Sequence, residues 1–232
     1  MAKTYEAMQK VVEKPSNSWR FLDLRNRKQT GDLEKKILQY KQKNGFKIFN
    51  FSSAREKEGV STILTNLVNY FKFQNSDHKI LLIDANFKSP ALHKVFNIHN
   101  GQGLSDILAN EQDLEESCIP IESTNITLLP CGQRFASQTD NLNQEKFMTV
   151  LNGCKDHYNT ILIDSAPILT SPNALSIALS SDVTFLVIQS LKVQKEVALK
   201  TKLLLHDNEC IIGGVILNKV LQVIPNWIYR AI

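Results

Sequence analysis

The chain has 232 residues, 43% of them hydrophobic and 22% charged, with a net charge of +4. That balance fits one large α/β domain with a sizeable core, and no apolar run reaches the eighteen or so residues of a membrane span. The charge is uneven: residues 1–47 carry twelve Lys/Arg against five Asp/Glu, the remainder fifteen against eighteen.

The basic leader, residues 1–31, holds a short helical pattern (Tyr5–Glu13), a break at Lys14-Pro15-Ser16-Asn17 and a polar stretch to Thr30. It reads as a partly disordered, solvated segment, or as one steered toward anionic lipid or an acidic partner. Met1–Lys14 lacks the apolar core of a secretory signal. Gly31-Asp32 introduces a predicted helix, Leu33–Lys43, that Asn44-Gly45 ends in C-cap fashion.

Strand and helix patterns then alternate. Buried strands are predicted at Phe46–Phe51, Ile80–Ile83, Ile126–Leu129, Thr160–Ile163, Val183–Ile188 and Ile211–Leu217. Helices are predicted between them at Ser61–Phe73, Gly103–Ala109, Gln144–Cys154, Asn173–Leu179 and Lys195–Leu205, with a polar loop around Gln133–Asn143. Continuous apolar strands alternating with helices predict a doubly wound, mainly parallel sheet, here over residues 32–220. Residues 221–232 form an apolar tail with Ile224, Trp227, Ile228 and Ile232, which is expected to dock on the domain or on a partner. Cys118, Cys131, Cys154 and Cys210 show no CxxC or Cys/His spacing and read as reduced thiols in or near the core. The slightly acidic body, without interleaved aromatic and basic residues, argues against nucleic acid.

Three predicted strands end in residues suited to phosphate chemistry, at the edge where open parallel sheets bind ligands. The first runs into Ser52–Thr62, Ser-Ser-Ala-Arg-Glu-Lys-Glu-Gly-Val-Ser-Thr. A phosphate-binding loop joins a strand to a helix through a turn whose amides face phosphate, closing on Gly-Lys-Ser/Thr. Glu58, Gly59, Ser61 and Thr62 occupy the closing positions, but Val60 stands where the lysine belongs. The other two strands end at Asp84 and Asp164. An aspartate after a buried apolar run needs a partner, and two of them beside a phosphate loop, with the Ser61 hydroxyl, make a donor set for hydrated Mg²⁺. The competing reading is two helix caps or sheet-end hydrogen bonds for the aspartates, with Ser61 an N-cap. His93, in the short helix after Pro90, is assigned a structural role.

These segments, with Leu-Leu-Ile-Asp-Ala-Asn (81–86), Gly-Leu-Ser-Asp-Ile-Leu (103–108), Leu-Ile-Asp-Ser-Ala-Pro (162–167) and Gly-Val-Ile-Leu-Asn (214–218), resemble the bacterial tyrosine kinases. Those are the cytoplasmic ATPase modules of polysaccharide co-polymerases, related to the MinD/ParA class of deviant P-loop proteins. The resemblance implies that Ser52–Thr62 is the Walker A loop, Asp84 the A′ aspartate and Asp164 the Walker B aspartate, and that Asn218 lies at the adenine edge. It implies ATP or ADP with Mg²⁺ as cofactors, a membrane-embedded polysaccharide co-polymerase as partner, self-association as a homo-oligomer, and a cytoplasmic location at the inner face of the plasma membrane.

The departures bear on separate steps. Val60 replaces the phosphate lysine, Lys57 a usual glycine, Arg55 a frequent second lysine and Asn86 a second acidic residue. Only Tyr229 remains of the C-terminal tyrosine cluster, and no Glu-x-x-Arg-x-x-Arg oligomerisation pattern is readable in Leu33–Lys43. The expectation is a degenerate member that regulates polysaccharide chain length or export through contacts and binds nucleotide weakly or not at all. The alternative is an active ATPase or tyrosine autokinase with rearranged lysines. A positioning ATPase of the MinD/ParA kind is disfavoured by the lack of a basic amphipathic C-terminal helix.

Overall fold

Apolar runs without polar alternation must be covered on both faces, and three strands of this chain are buried along their whole length. The structure, a computed structural model, describes residues 22–23, 27–71, 78–109, 113–121, 124–133, 142–190 and 192–219. The strands are β1 (Leu22–Asp23), β2 (Ile48–Ser53), β3 (Ile80–Ala85), β4 (Ile119–Pro120), β5 (Ile126–Leu129), β6 (Thr160–Ser165), β7 (Val183–Gln189) and β8 (Ile212–Asn218). The helices are α1 (Arg27–Asn44), α2 (Val60–Phe71), α3 (Leu92–Val95), α4 (Leu104–Leu108), α5 (Leu114–Ser117), α6 (Gln144–Lys155), α7 (Pro172–Leu179) and α8 (Lys195–Asp207).

The sheet runs β1-β8-β7-β2-β6-β3-β5-β4. All its pairings are parallel except that of the edge strand β4 with β5. From the central β2 the chain moves outward through β3 to β5, returns to β6, and crosses β2 to reach β7 and β8. That reversal opens the crevice beyond the carboxyl ends of the strands.

Period-two alternation divides the core. Phe49, Phe51, Ile80, Leu82 and Leu162 join Leu33 and Ile37 of α1 and Ile63, Leu64 and Leu67 of α2 on one face. Ile48, Leu81, Ile83, Ile161 and Ile163 join Leu104 of α4 and Phe147 and Leu151 of α6 on the other. Asp84 and Asp164 continue the first series, so both fall on the face that α2 covers.

The six predicted strands and the five helices predicted between them are present, with ends shifted by at most two residues. The helix predicted from Leu33 starts instead at Arg27 and passes through Gly31. Glycine disfavours a helix interior, but a Cβ at Gly31 would lie 2.7 Å from the Tyr70 hydroxyl. Packing of α1 on α2 therefore overrides propensity here. Strands β1 and β4 and helix α5 lie in segments where no element was predicted. The four thiols are free, Cys131 and Cys154 buried and the other two half-buried. The predicted apolar tail 221–232, Tyr229 and most of the leader lie outside the described residues.

Candidate functional site

The strand β2 ends at Ser53, the loop occupies residues 54–59, and α2 begins at Val60. The turn uses two left-handed residues, Lys57 at φ +64° and Gly59 at φ +95°. Glycine adopts that region without a Cβ clash, whereas a lysine there carries strain on the order of 1 kcal/mol. Lys57 is thus a non-glycine side chain at a position where the backbone favours glycine. By helix geometry the first-turn amides of Val60, Ser61 and Thr62 have no intrahelical acceptor, so the loop retains the amide donors that attract anions.

Glu58 supports the loop from within. Its side chain is 2% exposed. Oε2 accepts from the Ala54 and Arg55 amides at 2.8 Å each, and Oε1 accepts from the Gln189 amide at 3.1 Å. Burial raises its pKa, and the three backbone donors work in the other direction. The Glu58 carbonyl accepts from Asn218 Nδ2 at 2.8 Å, and a Cβ on Gly59 would strike that same amide nitrogen. Asn218 Oδ1 meanwhile accepts from the Lys219 amide at 2.9 Å. Glu58 and Asn218 thereby tie the loop to the ends of β7 and β8, and both ends of the Asn218 amide are engaged. Gln189 was missed in the sequence, although it is the first polar residue after the apolar run Val183–Ile188.

Asp84 and Asp164 are direct cross-strand partners in the β3–β6 register. Asp84 Oδ2 accepts from the Ala91 and Leu92 amides at 2.9 and 3.0 Å, and Oδ1 from the Asn86 amide at 3.3 Å. It therefore caps the α3 turn as well as facing the site. Burial nevertheless moves its pKa up to about 6 against those three bonds. Asp164 is fully buried, and neither carboxylate oxygen has a hydrogen-bond partner among the described residues. Burial first, then the Asp84 charge, raises its pKa well above the aspartate range, while Ser61, short of a full hydrogen bond, opposes weakly. Two adjacent buried carboxylates resist ionising together, and a cation between them would relieve that.

The partnerless Asp164 carboxylate beside Asp84 fits a Mg²⁺ held partly by phosphate oxygens, since such ions take one or two protein carboxylates and retain water. No cluster of three or more His, Cys, Asp or Glu gathers among the described residues. Asn86 Oδ1 accepts from the Ser89 amide at 3.2 Å and so shapes its own turn.

The cationic side is weaker. Val60 is 8% exposed and belongs to the apolar cluster of Ile63, Leu64 and Phe51. Arg55 and Lys57 are exposed, as is Thr62, and Ser61 is half-buried. Lys88, not singled out in the sequence, pairs with Glu56 at 2.7 Å across the mouth, both side chains more than half exposed. His93 lies in α3, and its buried Nδ1 has no hydrogen-bond partner among the described residues.

Comparison with known proteins agrees with this layout. The putative tyrosine-protein kinase CapB of Staphylococcus aureus is 28% identical over 76% of this chain and 77% of its own length. Tyrosine-protein kinase YwqD of Bacillus subtilis is 29% identical over 72% and 70%. Tyrosine-protein kinase wzc of Salmonella typhimurium is 30% identical over 62% of this chain, which spans only 20% of that larger relative.

Among solved structures, the chimerical protein CapA2B2 superposes with a TM-score of 0.78 at 20% identity, covering 94% of this chain and 99% of that one. The kinase domain of Escherichia coli tyrosine kinase ETK gives 0.76 at 21%, over 93% and 81%. MinD of Pyrococcus horikoshii, complexed with Mg-ADP, gives 0.63 at 23%, over 80% and 76%. At these identities the structural likeness shows the fold, that of P-loop nucleotide-binding proteins.

The family model described as an AAA domain matches residues 50–205, more than half of the chain. The chain therefore belongs to the AAA domain family, and its relatives are bacterial tyrosine-protein kinases.

Proposed function

We propose that this chain is a pseudo-ATPase, or pseudokinase-like, component of a bacterial exopolysaccharide or capsule biosynthesis and export system. It acts through protein contacts with a membrane-embedded polysaccharide co-polymerase at the inner face of the plasma membrane, and it binds nucleotide weakly or not at all. The relatives named tyrosine-protein kinases support the system. No helix among the described residues is long and apolar enough to cross a membrane.

The observation that carries the inactive reading is Val60. A phosphoryl transfer site works by positioning and by neutralising charge on the transferring group, and an apolar side chain packed in the core supplies no charge. The chain should hydrolyse ATP, or phosphorylate itself, far below the roughly 1–100 per second usual for kinases. Steady-state turnover with Asp84→Ala as control checks this; turnover in that range, abolished by Asp84→Ala, contradicts it.

One observation favours the active alternative, an ATP-binding kinase of the same system: the unpartnered oxygens of Asp164 beside Asp84. Ser61, Asp84 and Asp164 would hold Mg²⁺ with a nucleotide, and the ion would supply the charge neutralisation that Val60 does not.

A further inference from the structure

At the end of the sheet opposite the loop, three side chains from three elements meet. Lys41 Nζ, on the last turn of α1, lies 2.9 Å from Thr160 Oγ1 at the start of β6 and 3.0 Å from His78 Nε2, just before β3. Thr160 Oγ1 lies 2.8 Å from the same Nε2, closing a triangle. The His78 ring stacks on Phe71 with 6.1 Å between centroids and 2° between planes. Burial, then the Lys41 charge, lowers the His78 pKa and keeps the ring neutral. With both neighbours donating, Nε2 is assigned as the acceptor.

Lys41 has no carboxylate partner among the described residues, and the charge nearest in effect is another cation, Lys47. The groups facing it are therefore a neutral imidazole, a buried hydroxyl and Lys47. Burial and Lys47 together bring its pKa down to about 8, so more of this amine is unprotonated near neutrality than at an ordinary lysine. It is half-buried rather than sealed. Lys43, exposed on the same last turn, and Lys47 favour an anionic reagent over a neutral one.

We propose that Lys41 is a modification site, acylated by small acyl phosphates with His78 as the base. The neutral amine attacks the carbonyl carbon, a C–N bond forms, and the C–O bond to phosphorus-bound oxygen breaks. Inorganic phosphate leaves with the electron pair, and the proton lost from Nζ passes to His78 Nε2. The product amide has one N–H in place of the ammonium's three donors, so it cannot hold Thr160 and His78 as before. Acylation loosens α1 from the starts of β3 and β6.

Acetyl phosphate is the probe, and site-resolved mass spectrometry of the full chain at pH 6.5–10 is the readout. Lys41 should acetylate about tenfold faster than exposed Lys94 and Lys200 at pH 7.5, and its rate should level off near pH 8. His78→Gln should slow Lys41 several-fold and leave the exposed lysines unchanged. The pH profile of the unaltered chain stands whether or not that variant folds. Labelling of Lys41 no faster than Lys94, with a rate still rising at pH 10, overturns the proposal.

Discussion

Asp164→Asn should make the protein more stable at neutral pH. Asp164 is fully buried beside Asp84, with no hydrogen-bond partner for either oxygen among the described residues, so its charged form is disfavoured by burial and by the Asp84 charge. Removing that ionisable group should stabilise the folded chain, read as a rise in Tm. The pH dependence follows. Both aspartates have folded pKa values above the ordinary range, so the folded chain binds protons more readily than the unfolded one. The stability they contribute is complete below about pH 4 and is lost as pH rises through about 6 for Asp84 and higher for Asp164. Denaturation at pH 5 and pH 8 checks it: the parent should be more stable at pH 5 with respect to this pair, and the variant should lose most of that difference. A variant less stable than the parent at pH 8 contradicts the account of the site.

A larger functional change is expected from two substitutions in the loop. Val60→Lys alone restores the missing charge but removes an apolar side chain from the core cluster, at a cost of about 1–2 kcal/mol. It also leaves Lys57 at φ +64°. Adding Lys57→Gly relieves that strain and returns a glycine to the turn. The double variant should bind ATP with Mg²⁺ about tenfold or more tighter than the parent, a gain of about 1.4 kcal/mol. Calorimetric titration measures it. No gain in the folded double variant would mean that Ser52–Thr62 is not a phosphate cradle.

How much of this the sequence disclosed depends on the range of the forces involved. Strands β2, β3 and β6 were legible because a strand buried on both faces needs a continuous apolar run. The neighbouring positions of Asp84 and Asp164 followed from the same pattern and from the topology rules for parallel sheets. Strands β1 and β4, of two residues each, leave no periodicity to detect. The early start of α1 was hidden because Gly31 serves the contact with Tyr70, which only the fold creates. Within the site, Glu58 and Asn218 were legible as residues of the loop and the β8 end. That Asn218 bonds the Glu58 carbonyl was not, because that bond joins positions 160 residues apart. The Lys88–Glu56 pair across the mouth was hidden for the same reason.

The central claim is that the fold and the paired aspartates persist around a phosphate loop that has lost its charge. Equilibrium titration of the unaltered chain with ATP and ADP, with and without Mg²⁺, tests it most directly. The account predicts dissociation constants of about 1 mM or weaker, above roughly −4 kcal/mol, with little dependence on Mg²⁺. Micromolar binding that requires Mg²⁺ and disappears in Asp164→Ala would contradict it.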